Sequence, residues 1–199
     1  SERCKTVMKE LERRLNEELT EEELEVLFNN YKGSQLKTDM NNQINPLILN
    51  RMRTYGLSKV EELNNIIKVN YAQLFACMGA LKNLEEKIAA DKDNSKTFVT
   101  ARENVIRNAA VAVRNIIECR AKADSLLSSG VHGLEEDFKA VATKLNYVGL
   151  RFSKANDFDN ELQHELGRYG QNLNNALAAN DDENIVDNFM ALESCYYKN

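Results

Sequence analysis

One proline (Pro46), eight glycines and no tryptophan occur in 199 residues, and aromatics make up just 7%. Proline removes a backbone donor and glycine adds unfolded-state entropy, so their scarcity permits long uninterrupted helices. Runs of β-branched residues that would favour sheet are also missing. No apolar run approaches the ~18–20 residues needed to cross a bilayer. Residues 1–30 carry too many charges to read as a secretory signal. There is no N-x-S/T acceptor, no phosphate-binding or dinucleotide glycine motif and no calcium loop. Basic excess is absent too. The net charge is −5 and the pI about 5.3, which argues against nucleic acid, whose partners carry a positive stripe to displace counterions.

The four cysteines (Cys4, Cys77, Cys119 and Cys195) are scattered, with no C-x-x-C pair. Cys77 and Cys119 fall within apolar helical stripes, where a reduced thiol behaves as a small hydrophobe. Neither a zinc knuckle nor a disulfide framework is encoded, and a reducing compartment is expected: the cytoplasm, or a host cytoplasm for a delivered effector.

What is present is helical periodicity. Hydrophobic residues make up 43%, enough for a substantial core. Residues 3–31 read as helix with a break near Thr20, where Thr20 and Glu23 form a capping box. Met8, Leu11, Leu15 and Leu19 mark one face before it, and Leu24, Leu27, Phe28 and Tyr31 another after it. Residues 33–57 are the least regular, with a short helix expected from Pro46 to Tyr55 and a stop at Gly56. Residues 1–57 are therefore expected to form an amino-terminal helical segment with a linker or docking arm, and residues 58–199 a long-helix bundle.

Ser58 and Glu61 suggest a second capping box. Val60, Leu63, Ile67, Asn70, Leu74, Cys77, Leu81, Leu84 and Ile88 then alternate steps of three and four, a seam for lengthwise packing. Asn70 is its single polar member. A buried amide there would fix register; an amide at the seam edge would reach water. Between about Phe98 and Ser128, Val105, Ala109, Ala112, Ile116, Cys119, Ala123 and Leu126 repeat the spacing. Val99, Ile106, Ala110, Val113 and Ile117 widen the stripe, which predicts two packing partners. A fifth helix is expected from Leu134 to about 179. If unbroken it would span roughly 70 Å at 1.5 Å per residue, against about 50 Å for the helix over 59–91. Asn180, Asp181 and Asp182 close the fifth helix and cap a last one over 183–197. The fold class expected is all-α: an elongated bundle of long antiparallel helices with coiled-coil-like packing.

Chemistry-bearing motifs are sparse. Glu161 and His164 match half of a di-iron helix motif, but the second half is missing. His132 reads as a loop residue, and the acidic run from Glu17 to Glu25 surrounds a helix start that favours carboxylates. No catalytic residue, metal ligand or cofactor is expected. The lengths of the helices are similar to those of spectrin repeats and BAR domains, but no motif supports either likeness.

The expected function is a non-enzymatic protein–protein interaction module, a scaffold, adaptor or assembly subunit that self-associates. The alternative is a dimeric BAR-like membrane-binding module, with a membrane surface as its partner. For the first, Asn70 and the helix-interior glycines Gly149, Gly167 and Gly170 are candidate contact residues, since each such glycine costs ~1 kcal/mol against alanine and invites a compensating close approach. For the second, Arg107, Arg114, Lys139, Lys144 and Arg151 are the candidates, with Lys122 and Lys154 beside them.

Overall fold

The computed structural model describes residues 1–33, 45–93, 95–145 and 160–197, and these contain helices and turns without a strand. Among the described residues seven helices follow one another: α1 (Glu2–Glu18), α2 (Glu21–Gly33), α3 (Pro46–Ala90), α4 (Ser95–Leu127), α5 (Leu134–Leu145), α6 (Asn160–Ala179) and α7 (Asp182–Tyr197). The protein is an all-α bundle of long helices.

Local chemistry explains most of the boundaries. Thr20 Oγ1 accepts from the Glu23 amide at 3.2 Å and opens α2, half of the expected capping box. Asn45 Oδ1 accepts from the Leu47 amide at 2.8 Å, with Pro46 at the first helical position, where its missing donor costs nothing. Asn180 closes α6 in the left-handed region (φ 53°), and Asp181 Oδ1 caps α7 through the Asn184 amide at 3.3 Å.

The segment from Pro46 to Ala90 corrects one expectation. It is one helix of 45 residues, so Gly56 is not a stop and Ser58 is not a cap. A Cβ at Gly56 would lie 3.0 Å from Leu134 Cδ2 and 3.1 Å from Phe28 Cζ. The glycine is there because two side chains press onto the helix at that point. The expected continuity from Leu134 to 179 runs through residues 146–159, which lie outside the described residues.

The chain divides into two compact units, residues 1–64 with 121–147, and residues 65–120 with 148–199. The first has a core of Leu24, Phe28, Tyr31, Met52, Tyr55, Val131 and Leu134. Its turn after α4 needs positive φ at Gly130 (86°) and Gly133 (84°). Tyr31 Oη donates to the Gly130 carbonyl at 3.0 Å, and the fully buried Asn64 donates to the Leu145 carbonyl at 2.9 Å.

In the second unit, α4 runs antiparallel to α3, as the cross-helix pairs Arg102–Glu85 and Asn115–Asn70 show. It also meets α7, through Arg102–Glu183 at 2.7 Å. Ile106, Ala109, Ala110, Ala112, Val113 and Ile116 are all buried, so both stripes of α4 are covered over its middle turns, while Val99 at its start is 40% exposed. Cys77, Cys119 and Cys195 are buried thiols and Cys4 is an exposed one, none of them in a disulfide.

Candidate functional site

The most concentrated polar chemistry lies inside the second unit. Ile106 and Val113 are both buried and seven residues apart along α4, and the next position in that row is Arg120. On α7, Ile185, Phe189 and Glu193 follow at steps of four. Helical periodicity thus turns a cation and a carboxylate inward from facing helices. Their side chains are 4% and 5% exposed, with Arg120 Nη1 3.4 Å from Glu193 Oε1. Tyr71 Oη donates to the same Glu193 oxygen at 2.7 Å, and Arg120 Nη2 donates to Tyr71 Oη. The guanidinium also sits over the rings of Tyr71 and Phe189, at 5.2 and 6.0 Å from their centroids, an arrangement that suits a planar, weakly hydrated cation. Beside it, burial pushes the Tyr196 hydroxyl above its ordinary pKa.

A desolvated pair costs several kcal/mol per ion unless attraction and hydrogen bonds repay it. Here one carboxylate oxygen takes bonds from both the phenol and the guanidinium. The three side chains tie α7 to α3 and α4 at one carboxylate oxygen. Neither the Arg120–Glu193 pair nor the buried Asn64 was picked out from the sequence. The row spacing of Arg120 and Glu193 was the available signal.

Two surface grooves flank α7. One, of about 250 Å³, is lined by Arg102, Glu103, Ile106, Arg107, Asp182 and Glu183. Nearby Asp187 has its pKa raised, by desolvation first and then by Glu183, while Arg102 opposes the shift. The other, of about 420 Å³, is lined by Asn172, Asn175, Ala176, Ala179, Asp181, Asn184 and Asn188. Amides and a carboxylate there offer hydrogen bonds without a nucleophile and general base facing each other.

The sequence-derived candidates fall as follows. Asn70 is half-buried; it donates to the Ile66 carbonyl at 2.8 Å and accepts from Asn115 Nδ2 at 3.1 Å. Arg114 donates to Asn180 Oδ1 at 2.8 Å and to the Leu177 carbonyl at 3.3 Å, fastening the α6–α7 turn. Arg107 is exposed and donates to Asn104 Oδ1 at 3.2 Å. Lys139 pairs with Glu135 at 3.3 Å, and Lys144 is exposed. Space beside Gly167 and Gly170 is open to 4 Å. Gly149, Arg151 and Lys154 lie outside the described residues. Glu161 and His164 are both exposed on α6.

Two sets of exposed apolar side chains stand out. On α1, Val7, Met8 and Leu11 are 52%, 44% and 40% exposed. On α3, Ile66, Val69 and Phe75 are 38%, 69% and 50% exposed, Val69 and Phe75 on the side away from the core seam and Ile66 at its edge. No helix among the described residues is long and apolar enough to cross a membrane. Compared with known protein families, curated proteins and solved structures, the chain matches none.

Proposed function

We propose that this protein is a self-associating, non-enzymatic protein–protein interaction module, a scaffold, adaptor or assembly subunit. The observation that carries the reading is the placement of its exposed apolar side chains. Single exposed hydrophobes are ordinary, but contiguous ones mark contact surfaces. Here Val7, Met8 and Leu11 gather at helical spacing on α1, and Ile66, Val69 and Phe75 spread across the exposed half of one stretch of α3. Such stripes are what a partner helix covers lengthwise.

The buried Arg120–Glu193 pair supports the same reading, because a module that presents helix faces must hold its helices in one register. The basic residues tied to Asn180 and Glu135 serve intramolecular contacts.

Sedimentation equilibrium of the full chain across the micromolar range tests the proposal. A mass that rises with concentration is expected. A monomer throughout, combined with co-sedimentation on anionic vesicles, would replace this reading with the membrane-binding one.

A further inference from the structure

We infer that the outer face of α3 is a self-complementary seam on which a second copy of this chain packs antiparallel, an inference that rests on the self-association proposed above. The seam is a register that the core positions conceal. Asn65, Val69, Ala72, Ala76, Gly79 and Asn83 alternate steps of four and three over five turns, and all six are exposed. Ile66, Gln73 and Ala80 border one margin, and Lys68, Phe75 and Lys82 the other. From Asn65 to Asn83 there is no carboxylate, although acidic residues outnumber basic ones in the chain, 31 to 26. An exposed helix face normally carries mixed charge. This one is apolar and small.

Its order is what identifies the occupant. In a two-fold interface, if residue i meets residue j, then j meets i. Read from opposite ends, the seam pairs Asn65 with the partner's Asn83, Val69 with the partner's Gly79, and Ala72 with the partner's Ala76. Each Val69 then enters the space beside a glycine. A Cβ built on Gly79 meets nothing within 4 Å, so that space is open in the single chain. The alanines let the two backbones approach closely at the centre, and amides pair at both ends. A parallel pair would set valine on valine and leave a void between glycines, forfeiting dispersion contacts. On the margin, Phe75 meets the partner's Phe75 near the two-fold axis.

Two quantities set the strength. Nineteen residues at 1.5 Å rise give a seam about 28 Å long. A helix contact about 10 Å wide covers roughly 300 Å² per protomer. The total of about 600 Å² is short of the ~1,200 Å² typical of stable complexes. The same register also brings Lys68 beside the partner's Lys82, a like-charge contact. The dimer is therefore weak and concentration-dependent.

Both features can be turned into tests by sedimentation equilibrium, with circular dichroism on every variant. Gly79→Leu has room in the single chain and raises helix propensity, but fills the space that the partner's Val69 needs. Association should weaken at least tenfold with helicity kept. Val69→Ala combined with Gly79→Val exchanges large and small, and should restore association toward the parent. Lys68→Glu should tighten it several-fold, by pairing with the partner's Lys82. The inference is overturned if the parent self-associates and Gly79→Leu associates equally well, which leaves self-association standing on another surface. A parent that stays monomeric overturns both.

Discussion

The two compact units solve the problem of buried polar groups in different ways. In the first, the buried Tyr31 and Asn64 donate to backbone carbonyls, of Gly130 and Leu145, and Tyr55 donates to the exposed Glu25 carboxylate. In the second, Arg120, Tyr71 and Glu193 bond to one another. A backbone acceptor is fixed by the chain path and survives substitution of the residue that carries it. A side-chain acceptor exists only while its residue does, and it can lose its charge. The first unit thus ties two of its buried polar groups to its own main chain, and the second has placed part of its specificity in three side chains from three helices.

Breaking the second arrangement should have the largest effect. Arg120→Ala leaves a buried carboxylate without its cation and should destabilise the second unit by about 3–5 kcal/mol. Replacing Arg120 by Met and Glu193 by Leu together should cost far less, or even stabilise, because both desolvation penalties vanish. Urea denaturation, with hydrogen exchange to resolve the units, separates the outcomes. If the double variant is as damaged as the single one, the pair is not what makes Arg120 costly to remove.

In the first unit the comparable insult is steric. Gly56→Val would force a branched side chain against Leu134 and Phe28. Overpacking of this kind costs about 1–3 kcal/mol, and exchange protection should fall around Tyr31 and Leu134 first. A loss confined to the second unit would mean that the close approach at Gly56 is not tight in solution.

These two sites also show what the sequence could and could not reveal. The a/d seam of α3 was legible because seven-residue spacing survives any tertiary context, and all of Val60, Leu63, Ile67, Leu74, Cys77 and Leu81 are buried. The break at Thr20 and the cap at Asp181 were legible because capping is local. Gly56 and Ser58 misled for the same reason. A glycine and an S-x-x-E pattern look alike at a helix end and in a helix interior, and only Leu134, far along the chain, decides between them. Asn70 drew attention as the polar member of the seam, yet the fully buried amide is Asn64, one position beyond Leu63. Seam position alone does not say how wide the covered face is. The exposed positions on the outer side of α3 are less legible still, because they share a helix with a stronger inner seam.

A milder probe of the first unit is Tyr31→Phe. It removes the bond to the Gly130 carbonyl while keeping the ring in the core. A neutral hydrogen bond contributes about 0.5–1.5 kcal/mol net, and the midpoint in urea should fall accordingly with the slope unchanged. An unchanged midpoint would show that the carbonyl is equally satisfied by water, and the contrast between the units would then rest on packing alone.

The smallest expected effect concerns charge at the edge of the second unit. Asp187 has its pKa raised by desolvation and by Glu183, with Arg102 pulling the other way. A carboxyl whose folded pKa lies above its unfolded value binds its proton more tightly in the folded state. Its stabilising contribution is complete below the unfolded pKa and is lost as pH rises through the folded one. At neutral pH the ionised side chain therefore opposes folding slightly. Asp187→Asn should raise Tm a little at pH 7 and leave it nearly unchanged at acid pH, where Asp187 is already protonated. Arg102 bridges Glu85 and Glu183 at 3.3 and 2.7 Å and is the cation that holds the repulsion down. Removing it with Arg102→Met should therefore enlarge the benefit of Asp187→Asn at neutral pH. If the two substitutions are simply additive in Tm, the carboxylates near α7 do not act on Asp187 through Arg102, and desolvation alone accounts for its shift.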